Sequence, residues 1–337
     1  MQATAFPRSR SKVALLGVAL VVAAAGGLMA TRAASSPRLP SVSPDRLLAS
    51  TIAALSDPIS LSGRVAVDWN VDRHHKRRDR QGGELEHTAF RVWRSSAGIR
   101  VAQILDFGER LVVADRDEAW LWDSATLTAN RLPSTEVTSG RFDFTPSVAA
   151  DPFALAGSIL RTFAPYSDTT VIDTATVAGR PVYELSLRSE QRHTHLRKIV
   201  AAIDSATRLP LELQLYTRRI TPAAIDVRFT SISFGHVDPS LFQFSPPTGA
   251  TVVDTDVFSG GATPRGPIAR STKTFGRGWK TVVAWELSRG LSTQVEDVFP
   301  LWNAVGSALT TKTHGRTWIL AGFVSLTRLE RVVPKLP

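Results

Sequence analysis

The chain has 337 residues, 43% of them hydrophobic and 21% charged, which is a globular composition with room for one large domain or two ordinary ones. It carries 40 Lys and Arg against 30 Asp and Glu, and this formal net charge of +10 favours an anionic neighbour such as a membrane surface over a dedicated nucleic-acid partner. Cysteine is absent, which excludes disulfides, cysteine-ligated zinc and thiol catalysis.

Residues 1–34 have the pattern of a targeting or anchoring segment. Three basic residues, Arg8, Arg10 and Lys12, precede an uninterrupted apolar run from Val13 to Ala30. The core of a secretory signal is usually ~7–15 residues long, a spanning helix needs about 20, and this run lies between the two. A cleaved signal peptide and an uncleaved signal-anchor with its N-terminus inside therefore both remain open, and both predict an exported body. Residues 35–44, rich in Ser and Pro, are predicted to be a linker.

Two short helices are predicted from capping signals and helical spacing. Ser43-Pro44 supplies a cap and a first-turn proline, and apolar residues then recur up to Leu55. Asp151-Pro152 supplies a cap and a first-turn proline for the second helix, in which apolar residues form one stripe from Phe153 to Phe163, and Pro165 ends this helix.

Elsewhere apolar residues alternate with polar ones, which predicts β-strands. The predicted strands are 61–71, 84–93, 98–107, 110–114, 119–122 and 127–132, followed by 169–177, 181–188, 196–204, 209–217 and 225–234. The fold class is therefore mainly β, an α+β fold built on a large curved antiparallel sheet with short helices to cover one face.

The C-terminal part is predicted to be a separate small module. Residues 256–275 include a stretch rich in Gly, Ser and Pro and are predicted to form a second linker. Residues 276–337 are predicted to form a small α+β module with strands at 279–287, 307–313 and 317–324 and a terminal helix at 325–333.

Several motifs in the domain from 45 to 255 resemble segments of the LolA/LppX-like lipoprotein-carrier superfamily. They are the aromatic–Asp–turn–Thr hairpin from Trp120 to Thr128, the strand from Val177 to Leu187, the turn from Ile203 to Leu211, and the final segment from Phe229 to Gly249 with its Asp-Pro-Ser turn, two Phe and Pro-Pro-Thr-Gly. Each also has a plain local role as a turn or a core plug, so the motifs specify fold and not chemistry. Exported anti-sigma-factor regulators of the MucB/RseB type share the resemblance.

The resemblance implies an incomplete β-barrel, lidded by helices, whose hollow accepts acyl chains. The residues that would line the hollow are Leu61, Val65, Val67, Trp69, Val101, Leu105, Leu211, Leu213 and Leu215. The residues that would form the lid are Leu48, Ile52, Leu55, Phe153, Leu160 and Phe163. The alternative for each residue is that it packs against the others as ordinary core.

A basic cluster lies where the first hairpin is expected to turn. The residues predicted to contact anionic headgroups are Arg73, Lys76, Arg77, Arg78 and Arg80. Basic side chains near an anionic surface contribute about 1 kcal/mol each. A solvated hairpin tip is the alternative.

No motif supports an enzyme, a cofactor or a metal. His74-His75 and His193-Thr-His195 lack the spacing and the adjacent carboxylate of a zinc protease, and neither a nucleophile elbow nor a phosphate-binding loop is present. Two functions remain. One is a carrier or chaperone for an acylated lipid or lipoprotein. The other is a regulatory protein that senses lipid and binds a membrane partner, and the C-terminal module favours it because a carrier does not need that module.

Overall fold

The computed structural model describes residues 37–57, 59–70, 87–133, 152–191, 194–218, 222–254, 269–287 and 305–337. Three helices lie in these ranges, α1 (Pro44–Ser56), α2 (Pro152–Phe163) and the short α3 (Leu326–Glu330). The strands before α2 are β1 (Leu61–Trp69), β2 (His87–Ser95), β3 (Gly98–Leu105), β4 (Gly108–Ala114), β5 (Glu118–Asp123) and β6 (Thr128–Pro133). Those after it are β7 (Ser167–Val177), β8 (Arg180–Ser189), β9 (Leu196–Asp204), β10 (Pro210–Thr217), β11 (Ile225–Phe234), β12 (Thr251–Asp254), β13 (Ala269–Phe275), β14 (Val282–Leu287), β15 (Ser307–Thr313) and β16 (Arg316–Gly322).

The first twelve strands form one sheet in the order β12-β6-β5-β4-β3-β2-β1-β11-β10-β9-β8-β7. The sheet is large, curved and open, and it does not close into a barrel. The predicted mainly-β class with a large curved sheet is therefore confirmed. One pairing differs from an all-antiparallel sheet, because β12 joins β6 in parallel after the chain has returned from β11.

The two predicted helices form where the capping signals place them. Ser43 Oγ accepts a hydrogen bond from the Arg46 N–H at 3.4 Å, and Pro44 occupies the first turn of α1. Helix α2 begins at Pro152 and ends at Phe163, two residues before Pro165. The helices contact each other, α1 also contacts β7 and β8, and α2 also contacts β10. Both helices therefore lie on the same side of the sheet, which we call the helix-side face.

The C-terminal strands form a second sheet in the order β13-β14-β16-β15. Its first strand, Ala269–Phe275, lies inside the range predicted as a linker, so the linker prediction does not describe these residues. Trp279 lies in a 3-10 turn, Gly278–Lys280, and the strand predicted to start there begins at Val282. Residues 37–337 form one compact unit, and the division into a domain at 45–255 and a module at 276–337 stays a prediction.

Candidate functional site

Two rows of side chains cross strands β2 to β6 on the helix-side face. Directly paired residues share a face of a sheet. One row is apolar until its last member and runs Val92, Val101, Val112, Leu121, Asn130. The row beside it runs Phe90, Gln103, Arg110, Asp123, Thr128 and becomes polar after its first member. The register therefore places an apolar strip directly beside a polar one.

A cavity of about 260 Å³ lies over these two rows and opens to solvent. Its apolar floor consists of Phe90, Val101, Val112 and Leu121, and its polar rim consists of Gln103, Arg110, Asp123 and Asn130; Leu111 and Trp122 also border it. A concave apolar surface with a few convergent polar groups is the usual form of a small-molecule site.

An ion pair occupies the middle of the polar rim. Arg110 Nε donates to Asp123 Oδ2 at 3.3 Å, and the two side chains are 22% and 26% exposed. Asp123 Oδ1 also accepts from the Ala125 N–H at 2.9 Å, which fixes the carboxylate at the start of the β5–β6 turn. The pair is thus held in place by the hairpin while it remains accessible from water.

Beyond the cavity, the helices close the helix-side face. Phe153 of α2 stacks on Phe229 of β11 with ring centroids 5.3 Å apart. The guanidinium of Arg94 also lies over the Phe153 ring, 5.3 Å from its centroid. Leu55 of α1 belongs to the same buried cluster. The floor is therefore continuous with a packed core at one end and reaches solvent at the other.

The predicted lining residues do not all meet at the cavity. Val101 belongs to its floor. Those buried beside it, in the cluster that holds Leu55 and Phe153, are Leu61, Val65, Val67 and Leu211. Leu213 and Leu215 lie in a different cluster beneath α2. Leu105 is half-buried at the end of β3, and Trp69 pairs with Ile225 in the backbone register, its side chain lying outside the description.

The predicted lid residues divide between two buried clusters. Leu55 and Phe153 belong to one of them, and Leu160 and Phe163 belong to the other, against which Leu48 packs partly buried. Ile52 is half-buried. Sequence reasoning missed Phe90, Val112 and Leu121 as floor residues. Val112 and Leu121 have apolar residues on both sides in their strands, so alternation gives no signal for either of them.

The second sheet fills the part of the helix-side face over β8 to β10. Phe163 of α2 lies 4.8 Å from Trp279 and 6.0 Å from Phe323, measured between ring centroids. Trp279 Nε1 donates to Ser167 Oγ at 3.0 Å. Gly278 has φ +56° and approaches Tyr166 so closely that a Cβ there would lie 2.4 Å from its ring. The hollow predicted around Leu213 and Leu215 is consequently occupied by protein.

A charged cluster lies on the opposite face of the sheet, across β1, β11 and β10. Arg228 donates to Asp68 and, at 3.0 Å, to Asp226. Glu212 pairs with Arg228 in the register of β10 and β11. Burial first, and then the adjacent Asp226, raise the pKa of Glu212 to about 7. In the described ranges, no three His, Asp or Glu side chains are arranged to hold a metal ion.

The remaining predicted features lie outside the description. They are the apolar run from Val13 to Ala30 and the predicted headgroup contacts Arg73, Lys76, Arg77, Arg78 and Arg80. Within the part of the chain that is described, no helix combines the length and apolar character needed to cross a membrane.

No family model matches the chain, and no curated protein matches it. Solved structures similar to it include the MucA/MucB complex of Pseudomonas aeruginosa, with a TM-score of 0.48 and 16% identity over 86% of this chain and 96% of that one. A LolA superfamily protein from Nitrosomonas europaea has a TM-score of 0.27 and 9% identity, covering 60% of this chain and 99% of that one. A putative outer membrane lipoprotein-sorting protein domain from Vibrio parahaemolyticus has a TM-score of 0.26 and 14% identity, covering 58% and 94%.

These similar structures include the kinds of protein that the sequence motifs resemble, and the resemblance is confirmed to that extent. Because the identities and TM-scores are low, these similarities do not establish a function for this chain.

Proposed function

We propose that the protein is an exported, non-enzymatic binder of acyl chains, a carrier or chaperone for an acylated lipid or lipoprotein. The observation that supports this is the open cavity over the apolar floor, with its polar rim on one side. An acyl chain gains ~0.8 kcal/mol for each methylene it removes from water. A floor of valine, leucine and phenylalanine offers that gain without a polar group left unpaired beneath the chain.

Export and membrane proximity are part of the proposal. The apolar run from Val13 to Ala30 would direct the chain across the cytoplasmic membrane, as a cleaved signal or as an anchor. The basic cluster, Arg73 to Arg80, would bring the body to anionic headgroups. Sedimentation with anionic vesicles checks the second point, because replacing its five basic residues by Gln should reduce the bound fraction, and unchanged sedimentation would contradict it.

Mass spectrometry of co-purified lipid tests the proposed function. Delipidated protein is mixed with a membrane extract, repurified and analysed for bound lipid. We expect about one acylated molecule per chain for the natural sequence. Leu121→Trp should lower this at least about tenfold, because the larger side chain fills the cavity over the floor.

Ile104→Trp is the matched control for that variant. Ile104 lies on β3, points to the opposite face and is 60% exposed, so it accepts the same side chain away from the cavity. It should retain bound lipid, and thermal unfolding of both variants shows that each is folded. Absence of acylated lipid from the natural chain would contradict the proposal.

A regulatory role is the second candidate, and the packing of the second sheet favours it. Phe163, Trp279 and Phe323 join that sheet to the core under α2, so a partner bound to the C-terminal strands could be coupled to the lipid-binding face. Recovery of a stoichiometric membrane protein from the same extract, without acylated lipid, would favour this function over the carrier.

A further inference from the structure

The polar rim has a feature that bears on which amphiphile fits the cavity. Gln103, Arg110 and Asp123 stand side by side on neighbouring strands, each directly paired with the next. Asn130 closes the end of the apolar row beside them. All four side chains border the cavity, so they are the polar groups available to the headgroup of a chain that lies on the floor.

The rim carries no net charge. The guanidinium of Arg110 is compensated by Asp123 at 3.3 Å, and Gln103 and Asn130 are uncharged amides. An anionic headgroup that contacts Arg110 would also lie close to the negatively charged Asp123, and the two negative charges would repel each other. A bare carboxylate or phosphate is consequently a poor match.

The rim is instead rich in paired donors and acceptors. The guanidinium only donates, the carboxylate only accepts, and each amide does both. A hydroxyl also donates and accepts, so a headgroup bearing several hydroxyls can satisfy the rim without adding charge.

We infer that the cavity selects an uncharged, hydroxyl-bearing single-chain amphiphile, of the glycerol or sugar type, through hydrogen bonds to Gln103, Arg110, Asp123 and Asn130. This inference rests on the proposed acyl-binding function and adds the headgroup class. Asp123 acts as the residue that excludes anions, and Arg110 as the donor that it keeps in position.

Competition against a fluorescent acyl-chain probe tests the inference with the full chain. The competitors are monolauroylglycerol and laurate, which share one chain length, used below their aggregation concentrations at a pH where laurate is ionised. We expect monolauroylglycerol to displace the probe at about a tenfold lower concentration, a difference that corresponds to ~1.4 kcal/mol.

Asp123→Asn should invert or abolish this preference, because Arg110 would then be uncompensated while the amide oxygen still accepts from Ala125. Asp117→Asn is the matched control, since it removes one exposed carboxylate from the preceding turn, at the other end of β5, and should leave the preference unchanged.

The outcomes separate the two proposals. Laurate that binds the natural chain as tightly as monolauroylglycerol, or an unchanged preference in Asp123→Asn with its fold intact, overturns the inference and leaves acyl binding standing. Failure of the probe and of both competitors to bind overturns acyl binding itself.

Discussion

Glu212 is a partly buried residue whose ionised form is disfavoured in the folded state. Its carboxylate lies on β10 beside Asp226, and Gln214 Nε2 donates to it at 2.8 Å. Because the folded pKa of about 7 exceeds the ordinary value of 4.5, the folded state binds the extra proton between these two pH values. The stability that protonation of Glu212 contributes is fully present below pH 4.5 and is lost as the pH rises through about 7.

Glu212→Gln should therefore raise the free energy of unfolding at pH 8 by about 1 kcal/mol and leave it nearly unchanged at pH 4. The replacing amide can donate to Asp226 and still accept from Gln214. Urea denaturation at both pH values measures this, with the exposed Glu190→Gln as control. Equal stability of the variant and the natural chain at pH 8 would contradict burial as the cause of the raised pKa of Glu212.

Asp204 shows the opposite balance at a buried hairpin turn. Its side chain is inaccessible, and Arg180 donates to both carboxylate oxygens at 2.9 Å while Thr207 adds two further hydrogen bonds. Burial alone would raise the pKa of Asp204, but the hydrogen bonds from Arg180 and Thr207 outweigh it and the pKa is lowered. The Asp-x-x-Thr motif is thus explained by a turn that needs an ionised acceptor.

At the scale of elements, Trp279 is the largest side chain in the contact that Phe163 of α2 makes with Trp279 and Phe323. Trp279 is fully buried against Phe163, and its indole N–H is satisfied by Ser167. Trp279→Ala should lower the free energy of unfolding by about 3–5 kcal/mol. Leu326→Ala, which truncates a half-exposed side chain of the same module, should cost less than about 0.5 kcal/mol.

Chemical denaturation followed by both tryptophan fluorescence and circular dichroism measures this. We expect one coincident transition for the natural chain, since the two sheets share a buried cluster. Two separated transitions, or a Trp279→Ala variant as stable as the natural chain, would contradict a shared core.

The elements that the sequence predicted well are those specified locally. Ser43-Pro44 and Pro152 mark the helix starts, and alternation along β3 or β10 marks each strand, because capping and period-two burial depend on near neighbours. Strand β12 was not predicted, because it is only four residues long and forms by pairing in parallel with β6, which is distant in sequence. Strand β13 was not predicted because its sequence follows a stretch rich in Gly and Pro.

The site was predicted less completely for a related reason. Alternation shows that Val101 and Leu213 each face inward, but it does not show which part of the sheet the helices cover. The order of strands places β10 under α2 and the second sheet, whereas the cavity lies over strands β2 to β6. Leu213 therefore became core, while Val112 and Leu121 became floor.

At the scale of the whole molecule, one curved sheet serves two purposes on a single face. One half carries a core shared with the helices and the second sheet, and the other half carries the cavity. Strands β2 to β6 also contribute buried residues, both to the cluster that holds Phe153 and to a cluster with Trp120 and Trp122, so both halves stabilise the chain.

The proposed function places an acyl chain on the apolar floor of the cavity. Photo-crosslinking with a lipid that carries a diazirine in its acyl chain, followed by peptide mass spectrometry, tests it most directly. We predict saturable adducts on β2 to β5 near Phe90, Val101, Val112 and Leu121, lost in Leu121→Trp and retained in Ile104→Trp. Adducts confined to other strands, or labelling that an excess of unlabelled lipid does not reduce, would contradict the claim.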